Sequence, residues 1–554
     1  MAIDIKPEEL YFLPLGGAGE IGMNLNLYAY GGKWLMVDCG ISFADIYLPG
    51  IDLIMPDPEY IGERKDDLLG LVLTHAHEDH LGAVAHLWPE LRCPIYATPF
   101  TMTLLESKLE EAGLAGQVPL HTVPLGGSIT LGEFDITYVS LTHSILEGNG
   151  LKISTPLGNI FHTGDWKLDP HPLVGEASDI GALKSLGHEG VLAIVCDSTN
   201  VFNEKSSGSE QDVRESLKAL LDGHNGRLFV TTFASNIARV ETLAKVGDAL
   251  DRHVCLVGRS LKRNVEAAKK CGYLQDFPQV VSEEDAEHIP KDKILYICTG
   301  CQGEARAAMM RIATNQHRYI SLSREDTVVF SSKIIPGNEL LLARLHNMLT
   351  EHGVHVLTEK DHFVHVSGHP GQEELRQMYK WLRPVISVPV HGELRHMTLQ
   401  AELAKKWGVE HQIVPVNGSL IRLAPGIPEI VDQVYSARLA LDGNFVLPED
   451  DDAIVMRRRI MYNGAAVVTV ALDQGHKISG QVAVTLLGIA DSEEQELTQM
   501  IIAAIKKETD HITVKAGKGD RNIAEAMRVA VRRICRQFSG KSPGPQVTVN
   551  IIRV

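Results

Sequence analysis

The stretch LVLTHAHEDHLGA, residues 71–83, decides how the rest of the chain is read. An apolar run leads into three histidines and two acids within positions 75–80. His75, His77, Asp79 and His80 cannot all be buried without something to neutralise or ligate them. In an extended segment, residues i and i+2 point the same way. His75 and His77 can therefore grip one ion from one side, while Asp79 and His80, in the turn beyond, face a second. Imidazole together with carboxylate suits zinc, manganese or similar ions.

One such motif leaves each ion short of a full set, so further ligands must arrive from afar. Candidates stand at the ends of strand-like runs: His143 in YVSLTH, Asp165 in NIFHTGD and His391 in SVPVHGE. Strand-end loops on one edge of a sandwich converge, as active-site loops usually do. A carboxylate such as Asp165 can bridge two cations. The resulting assignment puts His75, His77, His143 and Asp165 on one ion. Asp79, His80, Asp165 and His391 go on the other. Asp38, closing the run KWLMVD, is either a turn residue or a group that orients a histidine ligand.

The bulk numbers set the frame. A chain of 554 residues is too long for one core and implies two to four domains. A hydrophobic content of 44% and a charged content of 22% are ordinary for a soluble globular protein. The opening MAIDIKPEEL has neither a basic nor an apolar signal region, which leads us to expect a cytoplasmic protein. No apolar run is long enough to cross a bilayer, so no membrane partner is expected. The eight cysteines are scattered and read as reduced thiols. Cys298 and Cys301 form a lone CxxC, a weak sign of metal or redox chemistry. The net charge of −17 argues against a nonspecific nucleic-acid coat. It leaves a nucleic-acid enzyme open, because a local basic groove or bound cations reverse the field where it matters. Gly17, Gly19 and Gly22 spell GxGxxG, but a strand-like stretch follows where a dinucleotide site needs a helix. Tight turns that bring backbone close to a reaction centre explain these glycines better.

Organisation follows from rhythm. Residues 1–205 read as short strands, tight turns and a few helices. From 206 to 365 strands and helices alternate as in a parallel, Rossmann-like layer. The first style resumes over 366–440. The polar segment 441–459 reads as a linker. Residues 460–554 read as strands, a helix, a short strand, a basic amphipathic helix and a final strand, a small α+β domain.

THAHEDHLGA with His143, Asp165 and Asp38 resembles the metallo-β-lactamase fold, an αββα sandwich around a dinuclear metal centre. DSTN (197–200), HVSGH (365–369) and PVHGE (389–393) resemble the signature motifs of the β-CASP nucleases. With TTFASN (231–236), TGCQGE (299–304), FSSKIIPGNE (330–339) and the tail, the chain resembles the bacterial ribonuclease J family over essentially its full length. The implied fold class is α/β: the sandwich, an inserted Rossmann-like β-CASP domain and a small C-terminal α+β domain.

The resemblance also implies a chemistry. It is metal-dependent RNA phosphodiester hydrolysis with two divalent ions per subunit, zinc or, alternatively, manganese. Activity would be 5′-to-3′ exonucleolytic on single-stranded RNA bearing a 5′-monophosphate, with endonucleolytic cutting, in rRNA processing and mRNA decay. Asp79 would orient the attacking water or take its proton. His369 would contact the scissile phosphate or protonate the leaving oxygen, and Asp197 would orient His369. Phe233, Ala234 and Ser235, with His365, Val366, Ser367, Gly368 and His369, would hold the terminal phosphate. Lys262 and Arg263 either contact RNA or form a solvated helix face. Arg528, Arg532, Arg533 and Arg536 either meet phosphate or serve the homodimer or homotetramer that the tail implies. A DNA 5′-nuclease would keep every motif. A small-molecule thioester or lactone hydrolase would not need HVSGH, and a noncatalytic RNA-binding subunit would be missing ligands.

Overall fold

In the strand Phe134–Ser140 alternate side chains turn inward, and Phe134, Ile136 and Tyr138 are buried. That strand belongs to one of two facing sheets, whose central strands are buried on both faces, in a computed structural model that describes residues 5–335, 337–489, 493–512 and 519–554. Met1–Asp4 of the opening and Pro336 of FSSKIIPGNE lie outside the described residues. The short strand expected between the two tail helices falls where residues 513–518 are likewise outside them.

One sheet has eight strands, in the order Glu429–Gln433, Ser419–Ala424, Leu10–Gly16, Leu25–Tyr30, Lys33–Val37, Leu68–Val72, Ile95–Ala97 and Leu120–Thr122. The other has seven: Ser128–Leu131, Phe134–Ser140, Asn149–Thr155, Gly158–His162, Ala193–Asp197, Ile386–Val390 and His411–Gln412. Phe12, Tyr28, Val37 and Val72 from the first sheet share one core with Ile136, Leu151, Val195 and Val388 from the second. Each such side chain, fully buried, contributes about 1.5–3 kcal/mol. This is the sandwich that the resemblance implied.

A third, six-stranded layer is entirely parallel. Its order is Val280–Val281, His253–Val257, Ile294–Cys298, Leu228–Thr231, Thr327–Phe330 and His355–Leu357. Its strands are continuous apolar runs, as a sheet covered on both faces requires. The sandwich and this insertion form one unit, Met1–Ser42 with Met55–Arg438.

The second unit comprises Phe43–Ile54 and Leu439–Val554. In it the strands Ala483–Leu487, Ala465–Leu472 and Gln546–Arg553 form a sheet. The helices Glu494–Ile512 and Asp520–Ser539 contribute Leu497, Ile501, Met527 and Val531 to a core shared with that sheet. The segment 441–459 is not the irregular linker its polarity suggested. It holds the strand Phe445–Pro448 and most of the helix Asp452–Asn463. Asp451 caps that helix by accepting from the Ala453 amide at 2.8 Å, Ile454 is buried, and Arg457 pairs with Asp442. Charges satisfied locally made a structured element look like a spacer. Among the described residues no helix is long and apolar enough to cross a membrane.

Candidate metal centre

The strand Leu68–Val72 stops just short of Thr74, whose amide and hydroxyl both donate to Asp38, each at 2.8 Å. That clamp turns the chain so that His75 and His77 face inward. Asp79 and His80 fall in a single helical turn, Glu78–Leu81, rather than in an open turn. The backbone there is pinned from the glycine-rich segment. The Asn24 amide donates to the Asp79 carbonyl at 3.0 Å, and the Cys39 amide donates to that of His80 at 2.7 Å. Gly17, Gly19 and Gly22 all take positive φ and lead into the strand Leu25–Tyr30, not into a helix. The carbonyl of Gly17 accepts from the amide of His391 at 2.6 Å. Gly17 thus lies against the centre as backbone, Gly19 pairs with Glu393 beside it, and the dinucleotide fingerprint does not form.

Seven side chains from four separate segments meet. His75, His77, His143 and Asp165 offer atoms within 4.8 Å of one another, as do Asp79, His80, Asp165 and His391. A third overlapping group is Asp165, Asp197, His369 and His391. Hydrogen bonds fix which nitrogen of each ring is free. His143 donates from Nδ1 to the Gly368 carbonyl at 2.6 Å. His77 has Nε2 3.0 Å from Ser235 Oγ, and His75 has Nδ1 3.0 Å from Thr74 Oγ1. The Thr74 proton is already committed to Asp38, so the threonine oxygen accepts from His75. This leaves the Nε2 lone pairs of His75 and His143 and the Nδ1 lone pair of His77 converging, with separations of 3.1 and 3.0 Å. Three lone pairs that close, beside a carboxylate, fit a divalent cation.

The second set is built likewise. His80 donates from Nδ1 to Asp38 Oδ2 at 2.7 Å, and its Nε2 lies 3.2 Å from Asp165 Oδ2. His391 stands 2.9 Å from Asp165 Oδ1 and 3.1 Å from Asp79 Oδ2. Thr199 brackets it, with its hydroxyl donating to the His391 carbonyl at 2.9 Å.

Charge follows position. Burial holds His75 and His143 well below the ordinary imidazole range and takes His77 down to about 4. Burial also opposes charge on His80 and His391, but the surrounding carboxylates together outweigh it and raise both: Asp165 with Asp38 and Asp79 for His80, and Asp165 with Asp197 and Asp79 for His391. His369 is raised in the same way by Asp197, whose Oδ2 is 2.8 Å from its Nδ1. Asp79 and His369 keep 30% and 23% of their side-chain surface exposed, against 2% for Asp165 and His80. The centre therefore opens on the side of Asp79 and His369.

The residues expected to hold a terminal phosphate are distributed unevenly. Phe233, Ala234 and Ser235 are half-buried, and Ser235 bonds His77. Ser367 Oγ accepts from the His369 amide at 3.0 Å, Val366 is buried, and His365 Nδ1 is buried without a partner. Gly368 has no room for a side chain, since a Cβ there would meet Ser144 Oγ at 2.7 Å. Lys262 is paired with Glu283, and Arg263 with Glu111. Arg528 and Arg533 pair with Glu525 and Glu508. Cys298 and Cys301 are buried free thiols, and burial raises Cys301 to about 12. Sequence reading missed Thr74, Asn24, Thr199 and Glu147. Glu147 accepts from the Phe100 amide at 2.8 Å and from the Tyr273 hydroxyl at 3.0 Å, and so ties down the loop that carries His143. Thr74 and Thr199 lie inside motifs already singled out, which was the available signal.

Comparison with known proteins agrees with this geometry. Residues 33–182 match a beta-lactamase superfamily domain and 225–349 a Ribonuclease J beta-CASP domain. Residues 353–415 match a Zn-dependent metallo-hydrolase RNA specificity domain, and 452–554 a Ribonuclease J C-terminal domain. The chain is 41% identical to Ribonuclease J of Sinorhizobium meliloti over 555 aligned positions, covering 99% of this chain and 98% of that one. The chain belongs to the ribonuclease J family. Ribonuclease J of Mycolicibacterium smegmatis is 35% identical, with 95% and 94% covered. Ribonuclease J 1 of Streptococcus pyogenes is 36% identical, with 85% and 84% covered. A crystal structure of a protein of unknown function from Enterococcus faecalis V583 aligns with a TM-score of 0.53 at 16% identity, covering 75% of this chain and 100% of that one. That likeness concerns the fold alone. As a ribonuclease J family member, the chain is a metal-dependent ribonuclease built from a metallo-β-lactamase domain, a β-CASP insertion and a C-terminal domain.

Proposed function

We propose that this ribonuclease degrades single-stranded RNA from its 5′ end, prefers a 5′-monophosphate, and also cuts internally. Its work would lie in rRNA processing and mRNA decay. His75, His77, His143 and Asp165 would hold one divalent ion, and Asp79, His80, Asp165 and His391 the other. The histidine-rich set suits zinc, with manganese the alternative. Bound ions would supply neutralisation of the phosphodiester charge and a more acidic water.

The chain's own groups divide the remaining work. Asp79, at the open side, takes the proton of the attacking water. Burial raises its carboxyl, but His80 and His391 together hold it below the usual range, a charge that the second ion would supply once both histidines ligate it, so Asp79 is ionised and able to accept. His369, on the same open side, is held by Asp197 and carries a proton. It donates that proton to a phosphate oxygen or to the leaving oxygen. The terminal phosphate would rest among Phe233, Ala234, Ser235 and the 365–369 loop. The unpartnered Nδ1 of His365 and the backbone amides there suit an anion. Assembly as a homodimer or homotetramer through the tail completes the reading.

The observation that carries it is the convergence of three imidazole lone pairs on one side of Asp165, with a second ligand set on the other. The test is degradation of end-labelled RNAs that differ solely in a 5′-monophosphate, triphosphate or hydroxyl, before and after chelation. Faster loss of the monophosphate, abolished by chelation and restored by zinc or manganese, is expected. Equal rates on all three ends would overturn the end preference, and activity undiminished by chelation would overturn the two-ion centre.

A further inference from the structure

Arg239 has no exposed surface, although it carries a charge in the middle of the insertion. Its Nε and Nη2 donate to the two carboxylate oxygens of Glu210 at 2.9 and 3.0 Å. Its Nη1 donates to Ser331 Oγ at 2.6 Å and to the Val364 carbonyl at 2.9 Å. Each nitrogen of the guanidinium thus has a partner. Three loops of the centre meet at this point. Val364 directly precedes the 365–369 loop. Asn236 directly follows Ser235, accepts from the Arg239 amide at 2.9 Å, and donates to Glu210 Oε1 at 3.2 Å. The amide of Glu210 donates to Asp169 at 2.9 Å, and Asp169 pairs at 3.1 Å with buried Lys167, two residues beyond Asp165.

A buried ion pair is a poor way to stabilise a core, since an apolar pair of the same volume does as well or better. Its use is to fix geometry. A planar fork can bind several acceptors in set directions, whereas a lysine ammonium on a flexible stem cannot replace it there. We propose that Arg239 is a positioning residue: it locks the Ser235 loop and the 365–369 loop in register with the Asp165 loop, and thereby makes cleavage depend on the RNA 5′ end. Arg239 touches no reacting atom. The inference rests on the proposed end pocket.

The experiment compares full-length wild type with Arg239→Lys and with the neutral double variant Arg239→Met/Glu210→Met. Each is assayed on a 5′-monophosphorylated linear RNA and on a circular RNA of the same sequence, which has no end. Metal content and thermal unfolding are measured in parallel. Both variants are expected to be folded and metal-replete, with the linear-to-circular ratio of kcat/KM down at least tenfold, mainly through KM on the linear RNA. Arg239→Lys should retain more of the ratio than the double variant. Folded, metal-replete variants with the wild-type ratio would reduce Arg239 to a strut and overturn the proposal. If neither variant folds, Ser331→Ala decides. It removes one acceptor of the Arg239 fork together with that hydroxyl's own 2.7 Å bond to the Val364 carbonyl, and should lower the ratio about threefold; an unchanged ratio is again fatal. A wild type without preference for the linear monophosphate would instead bring down the end pocket, and this inference with it.

Discussion

Ser235 Oγ lies 3.0 Å from Nε2 of His77, although 158 positions separate the two in sequence. The insertion thus reaches into the histidine cluster and fixes which nitrogen of His77 faces the centre. Outer partners of this kind are worth about 10–100-fold in metal affinity. Ser235→Ala is expected to weaken metal binding within that range, read by titration against a competing chelator. An affinity equal to wild type would confine Ser235 to RNA contact.

Asp38 Oδ2 serves both His80 and Thr74. Asp38 sits at φ +63°, which asparagine tolerates, so Asp38→Asn keeps the backbone and changes only the acceptor. One ion should be lost or weakened about 10–100-fold, with a matching fall in turnover. Metal analysis by mass spectrometry and rates on RNA check this, and full occupancy with full rate would contradict it.

Asp165 is shared by every candidate ligand group. Under the proposed ligand set, Asp165→Ala should abolish both ions together and cost at least about a thousandfold in turnover, because several kcal/mol of charge stabilisation disappear. A variant that keeps one ion and near-normal turnover would show that the carboxylate does not bridge.

A Cβ on Gly40 would lie 1.7 Å from the Asp79 carbonyl oxygen, and one on Gly187 would lie 1.9 Å from that of Trp381. Alanine at either position should cost about 1–3 kcal/mol by overpacking. Only Gly40→Ala should also lower metal occupancy, because only it displaces Asp79. Thermal unfolding and metal content separate the two, and equal metal content in both folded variants would refute the link.

Cys298 and Cys301 are buried and free, and burial raises both thiols, which therefore stay protonated and uncharged. The double alanine variant should keep its metal count and its RNA turnover within about twofold, losing on the order of 1 kcal/mol of packing. Loss of an ion in that variant would return the CxxC to consideration.

The sandwich was legible from short apolar strands divided by tight turns, a few of them alternating as in Phe134–Ser140, and the insertion from apolar strands that alternate with helices. Imidazoles and carboxylates at strand ends announce themselves, so the members of the cluster could be named before their convergence was seen. Thr74, Asn24 and Thr199 could not, because a hydroxyl or amide is common everywhere and acquires a role from the partner that happens to face it. The segment 441–459 misled for a related reason: Asp442, Asp451 and Arg457 look solvent-bound in one dimension, but Asp451 caps the helix Asp452–Asn463 and Arg457 of that helix pairs with Asp442 at the end of the strand Arg438–Asp442. The grouping of Phe43–Ile54 with the tail depends on long-range pairing that leaves no local pattern.

Leu10 pairs with Ala424 across the first sheet, and His391 enters its cluster only after the insertion has been completed. During translation, the opening strand must wait for the far end of the catalytic region before its sheet can close. Under the proposed ligand set, a nascent chain still short of His391 lacks one of the four ligands of the second ion. A truncated fragment ending before His391 would also lack the strand Ser419–Ala424 that closes the first sheet, and is expected to be inactive on RNA.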